Sequence, residues 1–215
     1  EGMTVDIEIR LEQEQDHRMV EELTREAFWN LHVPGCSEHL LAHQLRKSSA
    51  FIPELDFVAV MDGRIVGNIM FCHSKVKAED GTEHEVITFG PVSVWPQYQG
   101  KGIGSALIKH AIHRAVEMGF NAILTYGDPA YYRRFGFGPA EAFNIRTAEG
   151  SFLDALIAME LIEGALRGIS GRFLEGEAYH VDETELAEFD KMFPPREKRV
   201  TESQKRFSEL ANQTH

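Results

Sequence analysis

The stretch Val86-Ile-Thr-Phe-Gly90-Pro-Val-Ser-Val-Trp95-Pro-Gln-Tyr-Gln-Gly100-Lys-Gly-Ile-Gly-Ser105-Ala-Leu107 decides the fold. It reads as a buried strand, a glycine-rich turn and the first turn of a helix. Glycines at 100, 102 and 104 permit backbone conformations that a side chain disfavours, so successive N–H groups can converge on one anion. The run from Ser105 to Met118 carries apolar residues at 107, 108, 111, 112, 115 and 116, the spacing of an amphipathic helix. Its positive N-terminal end meets whatever the glycine turn holds, which makes the turn a phosphate cradle.

Two common glycine-rich patterns fail here. A dinucleotide fingerprint G-x-G-x-x-G would need glycine where Ser105 or Leu107 stands, and a nucleoside-triphosphate loop ends in Gly-Lys-Ser/Thr, whereas Lys101 precedes Gly102. The pattern that fits is Gln99-x-x-Gly102-x-Gly104 between an apolar strand and a helix. It resembles the coenzyme A pyrophosphate loop of the GNAT superfamily of N-acetyltransferases. The resemblance implies cofactor contacts from Gln99, Gly100, Lys101, Gly102, Ile103, Gly104 and Ser105. In that family the preceding strand pairs with the pantetheine arm, a role that falls by position to backbone atoms of Val92 and Val94. Pro91 supports this reading, since it has no N–H for a ladder and a bulge or splay there frees backbone groups.

Composition bounds the rest. A chain of 215 residues with 43% hydrophobic content suffices for one domain with a sizeable core and an appendage. Glu1 and Gly2 precede Met3, as residues left by cloning would. No apolar run reaches the length of a membrane span and no leader pattern opens the chain, so a cytoplasmic protein without membrane contact is expected. The two cysteines, Cys36 and Cys72, make neither a disulfide framework nor a metal cluster. A formal charge of −12 disfavours a nucleic-acid partner and weakly favours a cationic one such as an amine. His39 and His43 share a helical face, but no HExxH pattern or third ligand accompanies them, and no metal is expected.

Along the chain, Asp6–Arg10 alternates as a strand, and residues 13–29 keep helical spacing. His32-Val-Pro-Gly-Cys36 then breaks the pattern, and Ser37 caps a second helix to about Arg46. The resemblance places this break on the acceptor side of the cleft, making Trp29, His32, Glu38 and His39 candidate substrate contacts; core packing is the competing role for Trp29. Asp62-Gly63 predicts a two-residue hairpin between strands 57–61 and 64–71, and a second hairpin turns near Glu79-Asp-Gly81. After the cradle helix come a strand, 121–126, and a short helix that Asp128 caps, Pro129 opens and Gly136 stops.

Tyr132, followed by Gly136-Phe137, resembles the second hallmark of the same superfamily. Two motifs in the expected order strengthen the match, which covers residues 6–162. The resemblance implies an α/β (α+β) fold with a mixed, mostly antiparallel sheet of six to seven strands flanked by helices. It also implies an enzyme that takes acetyl-CoA as co-substrate and transfers the acetyl group to a primary amine of a small molecule or peptide. Tyr132 is the expected general acid, with packing as its competing role and Tyr131 the neighbouring alternative. A thiol of pKa ~8.5 and a phenol of ~10 differ by roughly 2 kcal/mol, within reach of a positioned proton transfer. The amide of Val94 is the expected oxyanion donor. For the base, Glu38, His32, Glu85 and Asp128 remain open. Direct attack in a ternary complex is preferred to a ping-pong route through Cys36. A non-catalytic acyl-CoA binding or sensing module is the alternative.

Strands 137–145 and 154–162 are expected to finish a domain of residues 3–162. Beyond it, 163–215 forms an extension with a strand within 172–181 and two helices announced by Asp182-x-x-Glu185 and Thr201-x-x-Gln204. Leu186, Phe189 and Phe193 dock the first of these on its own domain or on a second subunit of a homodimer, where it would close over the acceptor site.

Overall fold

The structure, a computed structural model, describes residues 6–215. Glu1 and Gly2, and the expected domain start at Met3, lie outside the described residues. The chain opens with strand β1 (Glu8–Leu11) and helices α1 (His17–Phe28) and α2 (Glu38–Leu45). Ser37 makes no side-chain cap; the Glu38 carboxylate accepts the Ser37 N–H instead, at 3.0 Å.

Two tight turns then set the register of the sheet. Asp62 and Gly63 take φ of 51° and 74°, the pair of positive angles that a two-residue hairpin loop requires. They join β2 (Phe57–Met61) to β3 (Arg64–Ala78), and Gly81, at 89°, turns β3 into β4 (Glu83–Val94). Because side chains alternate across a strand, Phe57, Ile69 and Phe71 face one way and Val58, Met70 and Cys72 the other. The first set packs beneath helix α3 (Ile103–Glu117) with Leu107, Ile108 and Ala111. The second packs beneath α1 and α2 with Val20, Leu23, Ala42 and Leu45.

The chain continues through β5 (Ala122–Tyr126), a short helix α4 (Pro129–Tyr132), β6 (Gly138–Pro139), β7 (Ile145–Arg146), β8 (Leu156–Glu160) and β9 (Gly171–Leu174). The sheet runs β1-β2-β3-β4-β5-β8-β6, with β9 beside β3 and β7 beside β9. Pairing is antiparallel except for β4 with β5 and β7 with β9. This is the expected mixed, mostly antiparallel sheet, with two-residue strands raising the number to nine.

The tail of the sheet departs from the sequence expectation. Of residues 137–145 only Gly138 and Pro139 pair with β8, at an edge where a missing N–H is tolerated. Ala140–Phe143 then winds into a 3-10 turn, and Asn144 reverses the chain at φ 57°. The strand expected within 172–181 ends at Leu174, and Gly176, at φ 104°, leads into a 3-10 turn.

Two helices close the chain, α5 (Glu183–Asp190) and α6 (Glu202–Ala211). Asp182 caps α5 through the Glu185 N–H at 2.9 Å, and Phe189 and Phe193 pack on Leu40 of α2. Arg25, 2% exposed, pairs with Asp190 at 2.8 Å. Thr201 does not cap α6: its hydroxyl donates to the Asn30 carbonyl at 2.8 Å, while the Gln204 amide donates to Arg199 O.

Gly171 lies so close to β3 that a Cβ there would overlap the Lys77 carbonyl. Gly171→Ala must push β9 off β3, and a loss of about 1–3 kcal/mol is expected, read as a lower urea midpoint with an unchanged m-value.

Candidate active site

β4 and β5 are joined at a single register pair, Ile87 with Ile123, and then separate. The Thr125 hydroxyl donates to Phe89 O at 2.9 Å as the last link between them. On the other side of β4, Ile69 faces Val92 and Phe71 faces Phe89, so Met70 alone opposes Gly90 and Pro91. This is a β-bulge at the proline, where Gly90 takes φ 142°. Beyond it the Trp95 N–H donates to Val66 O at 3.0 Å. Alternation along the strand therefore aims the backbone groups of Ser93 and Trp95 at β3 and those of Val92 and Val94 into the gap left by β5.

The cradle closes one end of that gap. Gly100 and Gly102 have φ of 76° and 83°, which other residues rarely adopt. Gly104 differs from the expectation: its φ is not in that range, and a Cβ there would meet Val94 and the Tyr131 hydroxyl at ordinary contact distance. Without a side chain it leaves that part of the cleft lining bare. The first helical bond of α3 is Ala106 N–H to Gly102 O, at 3.0 Å. The N–H groups of Ile103, Gly104 and Ser105 thus have no helical acceptor and face the cleft as orphan donors. The Gln99 side chain donates to Val94 O at 3.1 Å, tying the cradle to the strand.

A cleft of about 550 Å³ results, lined by Val92, Val94, Gln99, Gly100, Gly102, Ile103, Gly104, Ser105 and Tyr132 among others. Of the residues singled out for the cofactor, only Lys101 is not in this lining; its ammonium lies 5.4 Å from the Tyr98 ring. Arg134, which the sequence reading did not select, does line it. Its guanidinium sits 4.3 Å from the Tyr131 ring and donates to Tyr131 O at 2.9 Å, leaving a fixed cation for an anionic ligand.

A second cleft, of about 640 Å³, shares Phe28, Leu31, Val92 and Tyr132 with the first. Tyr132 stands where the two meet with its ring close against Gly127, where a Cβ would come within 2.5 Å of it. Phe89 and Phe137 pack around the ring at 5.7 and 5.8 Å. Burial, then Tyr131 and Asp128, push the Tyr132 phenol well above its ordinary pKa, so it stays protonated and able to donate. Tyr131 is perpendicular to it, with its hydroxyl 3.5 Å from Ser105 Oγ, and lines the first cleft only.

The second cleft gathers His32, Glu38, Asp128, Glu175 and Tyr179, with Arg206, Phe207 and Leu210 of α6. His32 stacks on Phe207 at 4.2 Å, and burial lowers its pKa toward the neutral ring. Its Nδ1 lies 3.9 Å from Glu38, whose carboxyl burial raises. Glu85 lines neither cleft. Glu175 is a carboxyl that the sequence did not disclose, and burial pushes it up to about 7.

Trp29 and His39 are not brought to the clefts. Trp29 is 9% exposed and donates to Glu197 O at 3.0 Å, holding down the C-terminal segment. His39 is buried between Asp190, at 2.9 Å, and Cys36 Sγ, at 3.5 Å, under α5. Burial raises the Cys36 thiol, which lines neither cleft. The helix over the second cleft is α6 rather than α5: α5 docks on α2, and α6 spans from the Asn30–His32 loop to Asp128 through an Arg206 pair at 2.7 Å.

With this geometry the chain matches known acetyltransferases. Residues 54–139 fit the model of the acetyltransferase (GNAT) domain. YhbS, an uncharacterized N-acetyltransferase of Escherichia coli K12, is 30% identical over 164 residues, 76% of this chain and 92% of that protein. The crystal structure of E. coli YhbS in complex with CoA gives a TM-score of 0.72 at 27% identity, over 83% of this chain and 94% of the other. A GNAT family acetyltransferase from Brucella melitensis in complex with acetyl-CoA gives 0.65 at 26%, over 82% and 100%. The chain belongs to the GNAT family of N-acetyltransferases.

A carboxyl whose folded pKa is raised binds its proton more tightly in the folded state, so it lowers stability as pH climbs from the unfolded value through about 7. Glu175→Gln is therefore expected to raise the thermal midpoint relative to the parent at pH 8 and to leave it unchanged at pH 4, as differential scanning calorimetry at the two pH values would show.

Proposed function

We propose that the chain moves the acetyl group of acetyl-CoA to a primary amine of a small molecule or peptide, by direct attack in a ternary complex. The observation that carries this is the meeting of two clefts at Val92 and Tyr132. One offers orphan amides and Arg134 to an anionic, extended ligand; the other offers carboxyls to a cation. The CoA and acetyl-CoA held by YhbS and the Brucella protein support placing the cofactor in the first.

In this reading the pyrophosphate lies on the amides of Ile103, Gly104 and Ser105 and the pantetheine arm pairs with Val92 and Val94. An amide of the unpaired β4 edge, that of Val94, polarises the thioester carbonyl. Both substrates held together replace a bimolecular encounter by an oriented one. The amine nitrogen bonds to the carbonyl carbon, the C–S bond breaks, and the thiolate leaves with a proton from Tyr132. A phenol of raised pKa is a weaker acid but is never spent by ionisation at working pH. Residues 3–162 supply the cofactor side and residues 163–215 roof the acceptor.

Tyr132→Phe keeps the ring on Gly127 and removes the proton. It is expected to lower kcat about 100-fold, in the range of a lost general acid, with the acetyl-CoA thermal shift retained. Unchanged thiol release would remove Tyr132 from the chemistry. An acetyl-CoA shift with no transfer to any amine by the parent chain would favour an acyl-CoA sensing module.

A further inference from the structure

The carboxyls of the acceptor cleft are not equivalent. Asp128 pairs with Arg206 at 2.7 Å and caps α4 through the Ala130 N–H. Glu38 takes the Ser37 N–H at 3.0 Å and lies near His32. The Glu175 carboxylate accepts no hydrogen bond and joins no ion pair among the described residues, yet it is part of the cleft wall. Its backbone is fixed: Leu174, the residue before it, pairs with Lys75, and the Glu175 carbonyl accepts the Ser74 hydroxyl at 2.8 Å. The titratable groups around it are Tyr126 of β5, Cys72 of β3 and Tyr179 of the following turn. Burial keeps all three neutral, with the Glu175 charge a lesser contribution. The same cleft holds Asp128, engaged by Arg206, and Glu38, engaged by the Ser37 N–H, with His32 kept toward its neutral form by burial. The Tyr179 hydroxyl donates to Gly90 O at 3.3 Å, tying this corner to the bulge that opens onto the cofactor cleft. The remaining wall is largely apolar, with Phe28, Leu31, Phe89, Leu153, Phe207 and Leu210.

An unpartnered carboxylate in an apolar cleft is matched by a cation, and one carboxylate matches one charge. We propose that Glu175 binds the ammonium of the acceptor and takes its proton, and that the acceptor is a primary monoamine on an apolar body. This rests on the acetyl-transfer reading above. The ammonium gives one proton to the Glu175 carboxylate, and the freed lone pair forms the N–C bond as the C–S pair leaves with sulfur. Tyr132 protonates the thiolate and is reprotonated from the nitrogen, and Glu175 returns its proton to solvent. A diamine of similar length would bring a second charge against the apolar wall and is disfavoured.

The test is kcat/KM from pH 5.5 to 10, followed by thiol release, for the parent, Glu175→Gln and Glu175→Asp, with phenethylamine and 1,4-diaminobutane. The parent should show an acidic limb near pH 7 and prefer phenethylamine by about tenfold. Glu175→Gln should fall about 100-fold at pH 7, lose the limb and recover as pH nears the amine's own pKa of ~10, with KM for acetyl-CoA unchanged. Glu175→Asp should keep the limb. A Glu175→Gln enzyme with the parent's limb, or within about twofold of its rate at pH 7, overturns the role of Glu175, and a preference for the diamine overturns the substrate class. A parent that binds acetyl-CoA and acetylates no amine instead refutes the acetyl-transfer reading beneath both.

Discussion

The site depends on one constraint, that β4 and β5 run parallel and touch at one register pair. Backbone polar groups left inside a protein need partners. Pro91 has no N–H to offer and Gly90 bulges, so the ladder with β3 is interrupted there and resumes at Val92, while β5 turns away on the other side. The Val92 and Val94 N–H groups and the Val92 carbonyl are then left facing a gap that an extended ligand can fill. The first turn of α3 has the same property for a different reason, since its amides precede the first helical bond. Strand edge and helix end meet at the cradle, and the Gln99 bond to Val94 fixes one against the other.

The two clefts resolve an apparent conflict between an acidic chain and an anionic ligand. Net charge is −12, yet the first cleft presents oriented amides and a guanidinium, whose short-range field outweighs a screened surface charge. The carboxyls gather in the second cleft, which Tyr132 also lines. In the proposed reaction, the different polarities of the two clefts would let each substrate enter its own cleft and meet the other at Tyr132.

What could be read in the sequence was local. Asp62-Gly63 and Gly100-Lys-Gly102 announce themselves because their turns need positive φ, and Asp128-Pro129 because a helix start needs a cap. Tyr132 was legible by its spacing to Gly136-Phe137, although its partner Gly127 was not. The illegible part is long-range. Glu175 reaches the cleft only because β9 pairs with β3, roughly 100 residues earlier in the chain. Helix α6 arrives because Thr201 and Ser203 donate to the carbonyls of Asn30 and Leu31. Trp29 and His39, adjacent to the acceptor loop in sequence, are turned away by packing under residues 190–197. Residues 137–145 had the apolar content of a strand, but the order Gly138-Pro139 limits pairing to an edge.

Amide hydrogen exchange, with and without saturating acetyl-CoA, reads the central feature most directly. The N–H groups of Val92, Val94, Ile103, Gly104 and Ser105 are exposed donors in the free chain and become hydrogen-bonded in the proposed complex. Their exchange should slow by at least about tenfold, while Ser93 and Trp95, already aimed at β3, change little. Protection elsewhere, with these five amides unchanged, would place the cofactor outside the gap between β4 and β5 and contradict the site.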